Sequence, residues 1–533
     1  MIRANKHRYK KLMIGMFLVF LTITSVAFGI ILNILSIYGR IAEWSLEVPV
    51  DTSSFLDPNG EELEDAAYFY DYRFSNYHLM WDQVVGTKFE NDSETYGYIT
   101  YTNITKYYFS DNEALWGGTA YVSWTYKYLV AVNENNVTMR NYARNVLINL
   151  TSGLSMLMAV PNGGLGSDYR GILGRGYAPP DGNDTWDDIF DDEPKHFNGT
   201  GIYSDWRWRG YTSNDEYGGY YLFLAMALKY LSDIEPIYEN VSLIVDQLCE
   251  YMLDNNFLGI HGTGSTTGVD QKPLLGNGGF WIAILLKMGA ICFPEKYENL
   301  YLYYMANEFL YLHAHEGGLQ ETVANYYAYH FAYCICLGYL LLEPITSSIG
   351  RVFYSGFLES IWQYTRNHRN AWYNALFLMI AHENGLINDN TELLNLPEDV
   401  STMHPVENIS QIVADVGDQL TRYTNSHFPD LHYASPESIP EEYELFSPVS
   451  EFVEKYNFSP ALQDLLGIDE NDLFYNKPLT CDYLEADWFI WNDNPWNYDD
   501  IWCENLRREY PGISFTLPYW MMRYCGYFEE GTD

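Results

Sequence analysis

Six long runs of apolar and aromatic residues, separated by amphipathic stretches, limit what this chain can fold into. Three of them open on paired glycine: LWGGTAYVSWTYKYL from Leu115, EYGGYYLFLAMALKYL from Glu216 and GNGGFWIAILLKMG from Gly276. Three more are as uniformly apolar without the glycine pair: NYYAYHFAYCICLGYLLL from Asn325, RNAWYNALFLMIA from Arg369 and FTLPYWMMRYCGYF from Phe515. A helix that is apolar all round is buried all round. Segments 139–157, 237–253, 296–313, 351–368 and 406–423 lie between them and read as helices with one wet face. Buried helices alternating with amphipathic ones suggest helical hairpins closed into a ring, with an inner and an outer layer. The expectation is therefore an all-α fold, an (α/α)6 toroid over residues 111–533, with inner helices starting near 114, 216, 277, 323, 369 and 515. The inner N-termini and the loops before them would share one rim, where a ligand binds. Glycine there lets a ligand approach the backbone, or lets helices pack closely; both readings stay open.

The first residues set the environment. Residues 1–11 carry Arg3, Lys6, Arg8, Lys10 and Lys11, and the next 27, Leu12 to Tyr38, carry no charge. An apolar helix of that length spans a hydrocarbon core of about 30 Å. A signal peptide, with an apolar core of roughly 7–15 residues, fits less well, although Ala27-Phe28-Gly29 makes a poor cleavage site. We expect a single-pass plasma-membrane anchor over 12–38 with a cytoplasmic basic flank and everything beyond it outside. Residues 39–110 read as an irregular or short-stranded stalk or cap, with strand alternation in YGYITYTNITKYYF.

The first 40 residues hold six of the 30 Lys and Arg and no acid, which leaves 24 against 71 Asp and Glu beyond them, a charge of −47. Such a surface does not suit nucleic acid. Asn-x-Ser/Thr sequons at Asn91, Asn103, Asn136, Asn149, Asn183, Asn198, Asn240, Asn408 and Asn457 agree with a glycosylated exterior domain. Seven cysteines are too few for a disulfide scaffold; one pair among Cys481, Cys503 and Cys525 is the expected bridge, if any.

Some of these pieces have a familiar combination. DNEALWGG at 111–118, GILGRGYAP at 171–179, WRWRGYTSNDEYGG at 206–219 and FIWNDNPWN with PGISFTLPYWMMRYCGYF at 489–528 resemble the six-hairpin glycosidase-like (α/α)6 toroid proteins, within a group of bacterial and archaeal members. The resemblance spans 111 to 528 and implies the toroid, with carbohydrate chemistry by analogy.

Glycoside hydrolysis uses two carboxyl groups, one to protonate the leaving oxygen and one to activate water or attack carbon. Asp215 and Glu216 open the second inner helix; adjacent helical residues point about 100° apart, so Asp215, aimed by the Thr212-Ser213-Asn214 turn, is the expected catalytic member. Asp111 is the expected second carboxylate, chosen over Glu113, Asp270 and Asp493 because its motif parallels that of Asp215. Both Asp215 and Glu216 also suit the first turn of a helix, where acids are favourable for purely structural reasons. Arg175 and Arg209, with Arg207, can grip a carboxylate or hydroxyls, and Trp206, Trp208, Trp491 and Trp496 can stack on sugar rings. An aromatic-rich chain with 49 Tyr also uses such rings simply to fill helix interfaces. The expected partner is a polysaccharide or surface glycan, handled without a cofactor or metal. Lyase or epimerase chemistry on uronic acids is the alternative, with Tyr217, Tyr220, His261 or His330 as base, and a non-catalytic glycan-binding or surface-layer protein is another. GTGSTTG at 262–268 lacks the Lys-Ser/Thr ending of a phosphate loop. HAHE at 313–316 suits a helix C-terminus, and DGNDTWDDIFDDE at 181–193 has Trp186 where a calcium loop needs glycine.

Overall fold

The computed structural model describes residues 50–89, 104–110, 112–180, 196–260, 266–271, 278–307, 326–358, 361–362, 365–388, 392–393, 409–427, 439–446, 474–484, 488–496 and 508–529. The described chain is mostly helical. Its helices are α1 (Gly60–Tyr77), α2 (Glu113–Asn133), α3 (Val137–Asn162), α4 (Asn214–Tyr230), α5 (Glu235–Asp254), α6 (Gly278–Cys292), α7 (Pro294–Asn307), α8 (Tyr326–Leu342), α9 (Ser348–Phe353, running on as a π-helical turn to Leu358), α10 (Ala371–Glu383), α11 (Ile409–His427) and α12 (Ile513–Tyr524). The uniformly apolar runs became the even-numbered helices and the amphipathic runs the odd-numbered ones.

Contacts sort the helices into two layers. Among the even helices, α2 packs on α4, α4 on α8 with α6 against both, α8 on α10, α10 on α12, and α12 back on α2. Each odd helix backs an even one: α3 on α2, α5 on α4, α7 on α6, α9 on α8, α11 on α10, and α1 on α12. The inner helices run the same way. Early turns meet at one end, where Trp116 of α2 lies 5.8 Å from His330 of α8, itself 6.3 Å from Trp372 of α10. Later turns meet at the other, where Tyr126 of α2 lies 5.2 Å from Tyr524 of α12 and 6.2 Å from Tyr230 of α4.

The glycine pairs of α2 and α4 proved to be packing devices. A β-carbon on Gly118 would stand 2.0 Å from the Gly219 carbonyl oxygen, and one on Gly219 would stand 2.4 Å from Leu115 Cα. Gly117 and Gly218 face the side chains of Leu154 and Phe331. Glycine at these helix starts brings α2 and α4 into backbone contact and is occupied by protein, so it leaves no backbone bare for a ligand.

Residues 60–77 correct the expected stalk. They form an 18-residue helix, capped by Asn59, which buries Leu63, Ala66, Ala67, Tyr70 and Phe74. That is one stripe at helical spacing, obscured in the sequence by acids and tyrosines around it. Buried Asp71 accepts from Lys127 Nζ at 2.6 Å and from Trp520 Nε1 at 3.0 Å, so one carboxylate joins α1, α2 and α12. The Lys127 ammonium stands 4.9 Å from the Trp124 ring, 5.1 Å from Tyr142 and 5.1 Å from Trp520. A strand is present over β2 (Ile104–Tyr108), which pairs antiparallel with β1 (Gly86–Phe89); a C-terminal strand (Arg508–Glu509) completes that sheet on the other side of β1. Buried Arg73 holds Glu509 at 2.7 Å, tying this sheet to α1.

Cys481 and Cys525 are buried and not bridged to each other, and Cys503 lies outside the described residues. Among the described residues no helix is long and apolar enough to cross a membrane; the expected anchor, 12–38, lies outside them. So do His261, the HAHE stretch and the acidic loop 181–193.

Candidate functional site

The opening turns of α2, α4 and α8 meet under a small antiparallel sheet. Its strands are β3 (Gly176–Ala178), β4 (His196–Asn198) and β5 (Arg207–Arg209), with β5 in the centre. Alternation along β5 buries Trp208 on one side, its Nε1 donating to Asn198 O at 3.0 Å, while Arg207 and Arg209 stay partly exposed. Register puts Gly176 opposite Arg209, and the Arg175 amide donates to Arg209 O at 2.8 Å. A β-carbon on Gly176 would lie 3.6 Å from Glu113 Cγ, which sets the sheet on the start of α2. From β5 the chain turns through Tyr211, whose φ of 61° is unusual for a bulky side chain, into α4.

Three carboxyl groups gather here. Glu216 is fully buried, and its Oε2 accepts from the Ala114 amide at 2.9 Å, so an α4 side chain caps α2. Glu113 is also buried; its Oε1 accepts from the Ser110 amide at 2.6 Å and the Ser110 hydroxyl at 3.1 Å, and its Oε2 has no hydrogen bond among the described residues. Asp215 is only half-buried. Arg175 lies between these groups. Its Nη2 donates to Ser213 Oγ at 2.6 Å, and its Nε stands 3.8 Å from Glu216 Oε1. Tyr327, in the first turn of α8, brings its hydroxyl toward Asp215, with no hydrogen bond of ordinary length to a described residue.

Burial dominates the protonation of this cluster. It pushes Glu216 up to about 8, opposed by the Arg175 charge and the Ala114 amide and aided by the charge of Asp215. Burial and then the charge of Glu216 push Glu113 well above the ordinary carboxylate range, against the Ser110 hydrogen bonds. Asp215 is also raised by burial, against Arg175, its own amide and Ser213. Burial raises Tyr327, and the charge of Asp215 adds to this. Asp215 is thus a partly accessible acid in the field of a guanidinium, backed by two buried carboxyls that retain protons to higher pH than usual. Such an arrangement can give and take a proton near neutral pH.

Asp215, Glu216, Arg175 and Arg209 lie near one another. Asp111 lies outside the described residues; the carboxylate found beside Glu216 is Glu113, two positions on. The expected aromatic platform is largely interior. Trp208 and Trp491 are 2 % exposed and Trp496 is 0 % exposed. Trp491 donates to Ser514 O at 2.7 Å, and Trp496 packs on His368. Burial leaves these three rings no face for a sugar. Trp206 is partly exposed and packs on Tyr177 and Tyr203. The alternative bases are interior as well. Tyr220 donates to Leu154 O at 2.9 Å, Tyr217 is buried, and burial takes His330 down to about 3. Phe489, 5.0 Å from His330 and 6.0 Å from Trp116, packs among the inner helices α2 and α8. Tyr327 is the residue the sequence reading missed; only its place two residues into an inner-type run, NYYAYHF, pointed to this rim. No group of three or more His, Cys, Asp or Glu among the described residues is placed to hold a metal ion.

The chain matches no protein-family model, no curated protein and no solved structure.

Proposed function

We propose that this chain is a membrane-anchored, outward-facing carbohydrate-active enzyme on an (α/α)6 toroid, of the six-hairpin glycosidase-like kind, and that it hydrolyses a polysaccharide or surface glycan. The observation that carries this reading is Asp215: a half-buried carboxyl with raised proton affinity, in the field of the Arg175 charge, at the rim where inner helices start. A glycosidic oxygen leaves only when protonated, and a carboxyl held above its ordinary pKa is suited to donate that proton. Asp111 is proposed as the second carboxylate. It is joined to Ser110, which binds Glu113 through both its amide and its hydroxyl. Glu216 and Glu113 are too deeply buried to touch a sugar and act through Asp215 by their charge state. The apolar run 12–38 and the sequons support the outward orientation, and the strongly acidic surface supports a neutral rather than polyanionic polymer.

A second reading, lyase or epimerase chemistry on a uronate, is favoured by one contact. Tyr327 brings its hydroxyl toward Asp215, and the Arg175 charge acts on the same carboxylate, a base near a group that can neutralise a sugar acid. The test is turnover of a polysaccharide panel by the full-length protein. Asp215→Asn should abolish product formation while the protein stays folded, and full activity in that variant would remove Asp215 from the mechanism. Tyr327→Phe separates the two chemistries: a loss of about 10²-fold or more in kcat marks Tyr327 as the base of an elimination or epimerisation, whereas a hydrolase keeps most of its rate.

A further inference from the structure

A polar cavity lies away from the carboxyl cluster, where the first described residues meet the loop before α10, the α11 helix and residues 442–443 and 477–483. It measures about 130 Å³, and Asp51, Arg369, Arg422, Tyr443, Lys477 and Tyr483 are among its lining residues. For scale, an engineered protein cavity of about 150 Å³ takes up one benzene molecule, so this space suits a single six-membered ring.

The wall formed by Arg369 and Arg422 is fixed in advance. Arg369 is 6 % exposed and ion-paired through Nε to Asp415 and through Nη2 to Asp418; its Nη1 has no protein partner among the described residues. Its φ of 56° lies in the left-handed region, which a residue with a side chain seldom adopts. The Phe55 ring underlies its guanidinium at 4.5 Å. Arg422 is braced by Asp418 at 3.0 Å and by Asp482 at 3.3 Å, and donates to Ser54 O at 2.8 Å. Lys477 pairs with Glu442 at 3.0 Å and stands 4.4 Å from the centre of the Tyr443 ring. Tyr483 packs edge-on against Tyr443, with centroids 5.7 Å apart.

The charges decide the ligand class. Arg369, Arg422 and Lys477 oppose Asp51, Asp415, Asp418, Asp482 and Glu442, so the region is net negative and already neutralises its own cations. An anion would compete with built-in carboxylates for every guanidinium, and a cation would meet Arg369 and Lys477 at the wall. A neutral ligand carrying both donors and acceptors faces neither penalty. Asp51 and Glu442 accept from hydroxyls, Lys477 and the free Arg369 nitrogen donate to them, and a tyrosine ring offers a face to the C–H side of a ring. We infer that this cavity is a binding site for one neutral sugar unit, separate from the Asp215 cluster. The inference shares the carbohydrate reading of the protein but not its catalytic assignment.

The test measures ligand binding rather than turnover. Saturation-transfer NMR on the full-length protein in detergent is run with free glucose, galactose and mannose at millimolar concentration, and with sodium sulfate as competitor. At least one hexose should bind. Its affinity should fall about tenfold in Tyr483→Ala and in Lys477→Gln, with each variant's unfolding midpoint checked to confirm the fold, and should be unchanged in Asp215→Asn. Sulfate should not displace it. Absence of binding by all three hexoses, displacement by sulfate, or loss of binding in Asp215→Asn with full binding in both pocket variants would each overturn the inference. If turnover survives Asp215→Asn while the pocket variants still lose the sugar, the catalytic reading fails and this one stands.

Discussion

Gly118 of α2 and Gly219 of α4 meet backbone to backbone: a β-carbon on the first would stand 2.0 Å from the carbonyl oxygen of the second. Neither helix can retreat alone, because α2 is also packed on α3 and α12, and α4 on α5 and α8. Gly118→Ala should therefore lower stability by about 3 kcal/mol, at or beyond the upper end of ordinary overpacking. Denaturant unfolding measures it. Gly60→Ala, at a helix start with nothing within 4 Å, is the control and should stay within about 0.5 kcal/mol of the parent.

The same crossing has an electrostatic counterpart. Glu216 rises from an ordinary 4.5 to about 8 on folding, because burial disfavours its charge more than Arg175 and the Ala114 amide favour it. Between those two values the native state holds a proton that the unfolded chain has released. Stability contributed by this group is therefore fully present below about pH 4.5 and is lost as pH rises toward 8. Glu216→Gln should remove that slope, which for one group is at most about 1.4 kcal/mol per pH unit. Urea unfolding of parent and variant across pH 5 to 8 should give curves that diverge as pH rises; parallel curves would mean that Glu216 is ionised throughout.

Lys127 and Asp71 make a sharper case. Burial lowers the Lys127 pKa and raises that of Asp71, while each charge favours the other. Lys127→Met leaves Asp71 buried without its cation and should cost about 3–5 kcal/mol. The double variant Lys127→Met, Asp71→Leu should recover most of the loss. A double variant as unstable as the single would assign the cost to lost packing against Trp124 and Trp520 instead.

Topology is open to a direct check. With 12–38 as an N-in anchor, protease added to intact cells should digest the acidic domain and spare an N-terminal tag. A tag labelled from outside would reverse the orientation.

Much of the helical order was legible in the sequence because inner and outer helices differ in kind. Runs such as 216–231 have no wet face, and 237–253 plainly has one. Helix α1 was not legible. Its stripe of Leu63, Ala66, Ala67, Tyr70 and Phe74 alternates with Glu61, Glu62, Glu64 and Asp65, and its partner α12 lies more than 400 residues away. The carboxyl cluster was legible in composition but not in detail. Parallel motifs pointed to Asp111, yet the residue pressed against Glu216 is Glu113, because α2 begins at Glu113 and packs on α4 through its first turns. The tryptophans misled for a related reason. Around Trp208, Trp491 and Trp496 the sequence is rich in Asp, Asn and Gly, which reads as a surface loop, while the rings themselves are sealed beneath it.

The closure between α1 and α12 bears on how the protein is made. Trp520, which completes the bonding of Asp71, leaves the ribosome 449 residues after it. At roughly 5–20 residues per second, the interval between them is on the order of twenty to ninety seconds. Throughout that time the apolar flanks of α1 and α2 lack the helix that covers them, so a nascent chain stalled or truncated before residue 513 presents a broad sticky edge. Such a chain is a natural client for holdase chaperones. Loss of even the last dozen helical residues should therefore register as degradation of the whole protein rather than as a shortened, working one.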